Sequence, residues 1–225
     1  MAGNDGSHGA LMDRIYRRQR YVYDFTRKYY LFGRDRLIRE MQLPEGAAVL
    51  EVGCGTARNL IAVAAQYPSA QLYGLDASSE MLRTARLSLE KAGLAERAVL
   101  EQGYAETFTP SLFGREKPFD AIIFSYSLSM IPDWNQALVA ASHALSADGR
   151  VHVVDFGDLG GSGLSRAVLR YWLALFHVEP REELLRSLEA RANGETTRLR
   201  TLPARYAFLF SGTREVLAQA QTDVA

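Results

Sequence analysis

Apolar and polar positions along the chain alternate between two kinds of pattern. Short, nearly unbroken apolar runs occupy Ala47–Val52, Ala70–Leu75, Ala98–Gln102, Asp120–Ser125 and Gly149–Phe156. Runs of this length, bounded by turn residues, predict strands buried on both faces. Between them, Thr56–Tyr67, Ser79–Ala92 and Asn135–Leu145 carry apolar residues at three- and four-residue spacings, the mark of amphipathic helices. Pro44-Glu45-Gly46 predicts a turn, Pro68 ends the first helix, and Gly93 supplies a C-cap for the second. Strands alternating with helices imply a parallel sheet covered on both faces. No internal repeat or linker interrupts the pattern.

The rhythm changes after Asp158. Gly157–Gly163 holds four glycines and reads as a loop. Leu164–Val178 reads as a strongly apolar helix with Tyr171, Trp172 and Phe176, and Pro180 opens another helix, Arg181–Arg191. Thr196–Leu202 and Arg205–Gly212 predict two further strands around Pro203, and residues 213–225 a polar tail or short helix. At the other end, Leu11, Ile15, Val22, Phe25, Tyr29 and Phe32 recur at helical spacings among Arg and Lys, predicting one long or two short amphipathic helices.

At 225 residues the chain is sized for one domain with embellishments. Lys plus Arg and Asp plus Glu are both 26, so no broad basic surface for nucleic acid is expected. The balance is uneven, with residues 1–40 at net +4 and the remainder at net −4. This basic, aromatic segment is either a solvated face on a packing helix or a lid turned to an anionic partner or membrane surface. One cysteine excludes an intramolecular disulfide and a Cys-rich zinc site. His8, His143, His152 and His177 show no metal spacing, so no metal is expected. No apolar run approaches the ~20 residues of a membrane span. The first ten residues lack the basic start and apolar core of a secretory signal, and the expectation is a cytoplasmic enzyme.

The segment Val49–Leu60, VLEVGCGTARNL, runs from a buried strand through a glycine turn into a helix. Gly53 and Gly55 permit a sharp turn and close approach of a ligand to the backbone. The next strand ends at Asp76, one βαβ unit after Glu51, where an acid accepts hydrogen bonds from both hydroxyls of a ribose. The turn lacks the third glycine of a dinucleotide fingerprint, with Ala57 in its place.

This combination resembles the class I S-adenosylmethionine-dependent methyltransferases. EVGCGTA matches their glycine motif, Asp76 their acidic second-strand motif, and GYAETF (Gly103–Phe108) their adenine-binding segment. Tyr104 stands where aspartate is common, so a stacking or donated contact replaces the usual one. FDAIIFSYSLSMIPDW (Phe119–Trp134) and HALSADGRVHVVDFGD (His143–Asp158) match the fourth motif and the fifth strand with its preceding turn. The resemblance implies an α/β, Rossmann-like fold. Its sheet would be mostly parallel and seven-stranded, with a terminal antiparallel hairpin at 196–212, a donor-binding core at 45–158, a helical lid at 11–40 and a helical insertion at 164–192. The donor-binding set it implies is Glu51, Gly53, Gly55 and Asn59 at the first turn and Asp76, Ala77 and Met81 at the second. Tyr104, Ala105 and Glu106 follow the third strand and Ser125 the fourth. The carboxylates suit a cationic sulfonium donor, and methyl transfer is an in-line displacement helped by alignment and desolvation.

YRRQRYVYDFTRKYYLFGRDRLI (Tyr16–Ile38) resembles the start of the bacterial betaine-lipid N-methyltransferases. That resemblance implies three methylations of the amine of diacylglyceryl-homoserine to a trimethylhomoserine betaine lipid. The phosphatidylethanolamine N-methyltransferases, which share the pair Tyr23-Asp24, are the alternative, together with other small-molecule amine N-methyltransferases. An amine becoming quaternary keeps its charge while losing its N–H donors, which suits a tyrosine cage. Tyr16, Tyr23 and Tyr126 are the first choices for amine contact or proton removal, with Tyr29 and Tyr30 behind them. Arg14, Arg18, Arg27 and Lys28 are candidates for the substrate or donor carboxylate. A lipid substrate implies peripheral association with an anionic inner-membrane surface, through the basic aromatic segment or the Leu164–Val178 helix. That helix equally suits a lid packed on the core or a dimer contact, and the sequence leaves the oligomeric state open. Asp155 and Asp158 are possible site acids. Cys54 reads as a small buried residue, and the histidines as structural. SYSL after the fourth strand lacks the NPPY-like tetrad of amino-methylating nucleic-acid enzymes. A non-catalytic donor-binding module is the remaining reading.

Overall fold

The structure, a computed structural model, describes residues 31–160, 181–192 and 196–218. The Leu164–Val178 helix, the final residues and most of the basic aromatic segment, with Tyr16 and Tyr23, lie outside these. Seven strands form one sheet in the order β3-β2-β1-β4-β5-β7-β6. They are β1 (Ala48–Val52), β2 (Gln71–Asp76), β3 (Ala98–Gln102), β4 (Phe119–Ser125), β5 (Leu145–Phe156), β6 (Arg198–Thr201) and β7 (Ala207–Thr213). The first five pair in parallel; β7 runs antiparallel to both β5 and β6. The described helices are α1 (Arg34–Glu40), α2 (Arg58–Gln66), α3 (Ser79–Lys91), α4 (Trp134–Ala144), α5 (Glu182–Arg191) and α6 (Arg214–Ala218).

The apolar runs lack visible alternation because both faces of the central strands are buried. Val49, Ile123, Val154 and Leu209 face one layer, where Leu37, Leu60, Val63, Leu82 and Leu89 of α1, α2 and α3 close over them. Leu50, Ile122, Phe124, Val153 and Phe208 face the other, against Leu138, Leu184, Leu188 and Leu217 of α4, α5 and α6. The strand order reverses direction at β1 and β4, so the crevice at their carboxyl ends is the switch point where open α/β sheets bind ligands.

Within the described residues the expected elements form, with three shifts that have local causes. The helix after β1 starts at Arg58 rather than Thr56, because the chain between them is still turning, with Gly53, Gly55 and Ala57 all at positive φ. β5 starts at Leu145 rather than Gly149. Its pairing with β4 slips between Phe119 and Ala121, so residues first read as helix end and turn join the sheet around an irregularity. The last two strands contract to Arg198–Thr201 and Ala207–Thr213, because Pro203–Arg205 forms a single 3-10 turn in which Arg205 takes φ 49°.

That turn is fitted closely to the end of β5. Gly157 N–H donates to Tyr206 O at 2.8 Å, and a Cβ on Gly157 would overlap the Arg205 carbonyl oxygen. Arg205 in turn bonds Asp158 at 2.6 Å and Glu189 at 3.0 Å, joining the exit of β5 to α5. Gly157→Ala is therefore expected to lower unfolding free energy by about 1–3 kcal/mol through overpacking. Urea unfolding checks this, and an unchanged midpoint contradicts the packing described.

Candidate active site

The carboxyl ends of β1, β2 and β4 are tied together by four hydrogen bonds. Gly53 N–H and Cys54 N–H both donate to Leu75 O, at 2.8 and 2.9 Å. Gly55 N–H donates to Asp76 Oδ2 at 2.8 Å, and Ser127 Oγ donates to Val52 O at 2.8 Å. Gly53 sits at φ 75°, and a Cβ on it would lie 2.6 Å from Ser127 Cβ. Glycine is demanded here twice, by backbone angle and by space. Ala57, where the sequence lacks its third glycine, still takes the left-handed conformation, at a cost of about 1–2 kcal/mol. The geometry of the motif is kept although its residue is not.

Two adjoining cavities share Gly53 and Gly55. The first, of about 140 Å³, also takes Asp76, Ala77, Met81, Tyr104, Ala105 and Glu106 from the residues expected at the site. Asp76 is half-buried at the end of β2, and its Oδ1 accepts Ser78 N–H at 2.9 Å. Tyr104 is 41% exposed at the rim. The second cavity takes Glu51, Asn59 and Ser125. Glu51 is buried, and its Oε1 accepts Asn59 Nδ2–H at 2.6 Å. Asn59 is itself reached by Arg58 at 3.4 Å, and Arg58 pairs with Asp35 of α1 at 3.2 Å. The buried Cys54 lines the same space, and burial pushes its thiol well above its ordinary pKa, against a nucleophilic role.

Sequence reading passed over two parts of these walls. One is the apolar side formed by Met130, Ile131 and Pro132, which was visible only as a stretch between β4 and the next helix. The other is Arg34, a buried arginine in the second cavity whose Nε donates to Leu31 O at 3.1 Å. Its signal was a spacing of three and four residues from Leu31, Leu37 and Ile38, which puts it on their apolar face. Tyr126 does line the first cavity, but only 1% of its surface is exposed, and its hydroxyl donates to Phe32 O at 2.6 Å. Burial raises its pKa well above that of an ordinary phenol, so the proton stays on the oxygen. It takes φ 55°, an uncommon angle for a large side chain, with its ring edge-on to Phe156 at 4.6 Å.

A protein-family model described as a methyltransferase domain matches residues 43–191. The chain belongs to this methyltransferase family. It is 28% identical over 140 residues to the ubiquinone/menaquinone biosynthesis C-methyltransferase UbiE of Geotalea uraniireducens, covering 60% of this chain and 58% of the relative. It is likewise 28% identical over 140 residues to the demethylmenaquinone methyltransferase of Bacillus subtilis, covering 62% of this chain and 58% of the relative. The chain thus spans a little over half the length of these curated relatives. A solved S-adenosylmethionine-dependent methyltransferase from Aquifex aeolicus superposes with a TM-score of 0.56 at 17% identity, covering 93% of this chain and 98% of that one, a likeness of fold. The cofactor implied by membership is S-adenosylmethionine. The residues present fit it: a glycine cradle that a Cβ would fill, a carboxylate at the end of β2, and apolar walls at Leu75, Met81 and Ile131. No group of His, Cys, Asp and Glu among the described residues is arranged to hold a metal ion.

Asp155, at the end of β5, holds the loop that carries the apolar wall. Its Oδ2 accepts Ser129 N–H at 3.0 Å and its Oδ1 accepts Phe156 N–H at 2.8 Å. Burial, only partly offset by these bonds, raises its pKa from 3.8 to about 6. The folded state therefore holds this proton more tightly than the unfolded chain. Its contribution to stability falls as pH rises from about 4 through about 6. Relative to Asp155→Asn, the wild type is expected to lose on the order of 3 kcal/mol across that window in urea unfolding. A difference that does not vary with pH contradicts this environment for Asp155.

Proposed function

We propose that the chain is an S-adenosylmethionine-dependent N-methyltransferase acting on the amine of diacylglyceryl-homoserine, transferring three methyl groups to give the betaine lipid. The observation that carries this reading is the fastening of residues 31–38, the described end of the Tyr16–Ile38 stretch, to the site wall. The Tyr126 hydroxyl donates to Phe32 O, and Leu31 and Arg34 line the second cavity. The stretch that resembles the betaine-lipid enzymes thus ends against the cavity itself, where a substrate-recognition segment is needed.

Bound in these cavities, the donor supplies an electrophilic methyl group on a sulfonium. Asp76 would accept from the ribose hydroxyls, and Met81, Leu75, Ala105 and Ile131 would flank the adenine, with Tyr104 closing its edge. Gly53 and Gly55 would let the backbone approach the donor, while Glu51, held by Asn59, would suit its ammonium end and Arg34 its carboxylate. Transfer forms the N–C bond as the S–C bond breaks, with the amine lone pair as nucleophile. Tyr126 holds its own proton and so acts as a fixed wall rather than a base. Amine contact and proton removal are then left to Tyr16 and Tyr23. No helix among the described residues is long and apolar enough to cross a membrane. In this reading the enzyme meets its lipid peripherally, at the cytoplasmic face of the inner membrane, through its basic aromatic segment.

The relatives' names favour a second reading, C-methylation of a quinone precursor. Both are tested by labelled methyl transfer to diacylglyceryl-homoserine, phosphatidylethanolamine and demethylmenaquinol, each in mixed anionic vesicles, with products resolved by mass. One, two and three added methyls on the homoserine lipid alone are expected. Transfer confined to phosphatidylethanolamine moves the acceptor to that lipid, and transfer confined to demethylmenaquinol establishes the second reading. No transfer to any of the three overturns both readings.

A further inference from the structure

A third concavity, of about 770 Å³, lies apart from the two methyl-donor cavities and shares no residue with them. Its floor is the face of β5, β7 and β6 beside α1. In register across the three strands stand His152, Ser211 and Arg198, with Arg200 two residues along the edge strand and Arg150 two residues back on β5. On a strand, residues two apart share a face, so these basic groups converge on one side of the sheet.

Two further observations mark this as more than a charged edge. His152 is 97% buried, and its Nε2 has no hydrogen-bond partner among the described residues; Thr197 Oγ1 in the same wall is also buried without one. A buried polar group left unmade costs about 1–3 kcal/mol, a cost that a ligand removes. The local acids are already engaged. Glu40 bonds Arg36 at 2.8 Å and reaches Arg200 at 3.7 Å, and Glu189 bonds Arg205 at 3.0 Å. Among the described residues, the exposed Arg198 makes no ion pair and Arg150 donates only to Thr196 O, at 2.9 Å. Arginines on an edge strand also deter pairing with another sheet, but that role explains neither Arg150 on the interior strand nor the buried imidazole and hydroxyl.

We propose that this concavity binds a phosphate ester, gripped by Arg150, Arg198 and Arg200 with His152 and Thr197 as inner donors. Three guanidinium forks and two neutral donors exceed what the two oxygens of a carboxylate accept, and they match the three or four oxygens of a phosphate. Burial, and then the nearby Arg150, lower the His152 pKa to about 3, so the ring is neutral near pH 7 and carries one N–H to donate. The volume lies within the range of small-molecule sites and leaves room for a group attached to the phosphate. This inference does not rest on the acceptor assigned above.

The test uses the full chain with labelled histidine. His152 ring signals are followed by NMR as inorganic phosphate and then glycerol 3-phosphate are added. In parallel, the protein is sedimented with phosphatidylcholine vesicles with and without phosphatidylglycerol. Each measurement is repeated on Arg198→Gln/Arg200→Gln, two exposed positions whose change leaves the core intact. Saturable movement of the His152 signals, weakened at least tenfold in the double variant, is expected. If phosphatidylglycerol vesicles also move these signals and lose the double variant, the phosphate is a lipid headgroup; if glycerol 3-phosphate moves them and the vesicles do not, it is a soluble metabolite; movement by inorganic phosphate alone overturns the ester. His152 signals that respond to none of these probes, or responses equal in wild type and double variant, overturn the proposal.

Discussion

The junction at Gly53–Gly55 governs the rest of the site. Three strand ends meet there because backbone N–H groups of the turn find the Leu75 carbonyl and the Asp76 carboxylate, while Ser127 reaches back to Val52. These bonds satisfy polar groups at the end of a buried sheet, where unpaired ones are costly. They also bring an acid, a bare stretch of backbone and the start of α2 to the edge of one cavity. A side chain at Gly53 would strike Ser127 and force β1 and β4 apart. The same packing that completes the sheet therefore opens the space beside it.

Charge is distributed unequally around that space. The first cavity is mostly apolar, with Asp76 and Glu106 as its carboxylates. The second sets Glu51 against Arg34 and Arg58, both signs within one small volume. Such a division suits a ligand with a flat, weakly polar end and a zwitterionic end. The chain Asp35–Arg58–Asn59–Glu51 carries the arrangement from α1 into the core, so α1 takes part in shaping the site as well as covering the sheet.

The parallel strand–helix alternation and the glycine turn were legible because they rest on local signals: apolar runs of strand length, turn residues, and an acid one βαβ unit after the turn; the order of the strands was not. What stayed hidden depends on contacts distant in sequence. Arg34 reads as one more basic residue until α1 docks and buries it beside Glu51. Tyr126 reads as a candidate for amine contact, yet its hydroxyl is engaged in a hydrogen bond to the Phe32 carbonyl 94 residues earlier. The left-handed Ala57 could not be foreseen from propensity, since only the fold around it enforces a conformation alanine disfavours. The cross-strand row of His152, Ser211 and Arg198 likewise exists only once β5, β7 and β6 are placed side by side.

The central claim is that the glycine junction forms the cradle for the methyl donor. Calorimetric binding of S-adenosylhomocysteine to the wild type, Gly53→Ala and Asp76→Asn tests it most directly, with circular dichroism confirming that each variant is folded. The account predicts saturable binding by the wild type and at least a tenfold loss in each folded variant, about 1.4 kcal/mol or more. Equal affinity in all three, or no binding by the wild type, would contradict it.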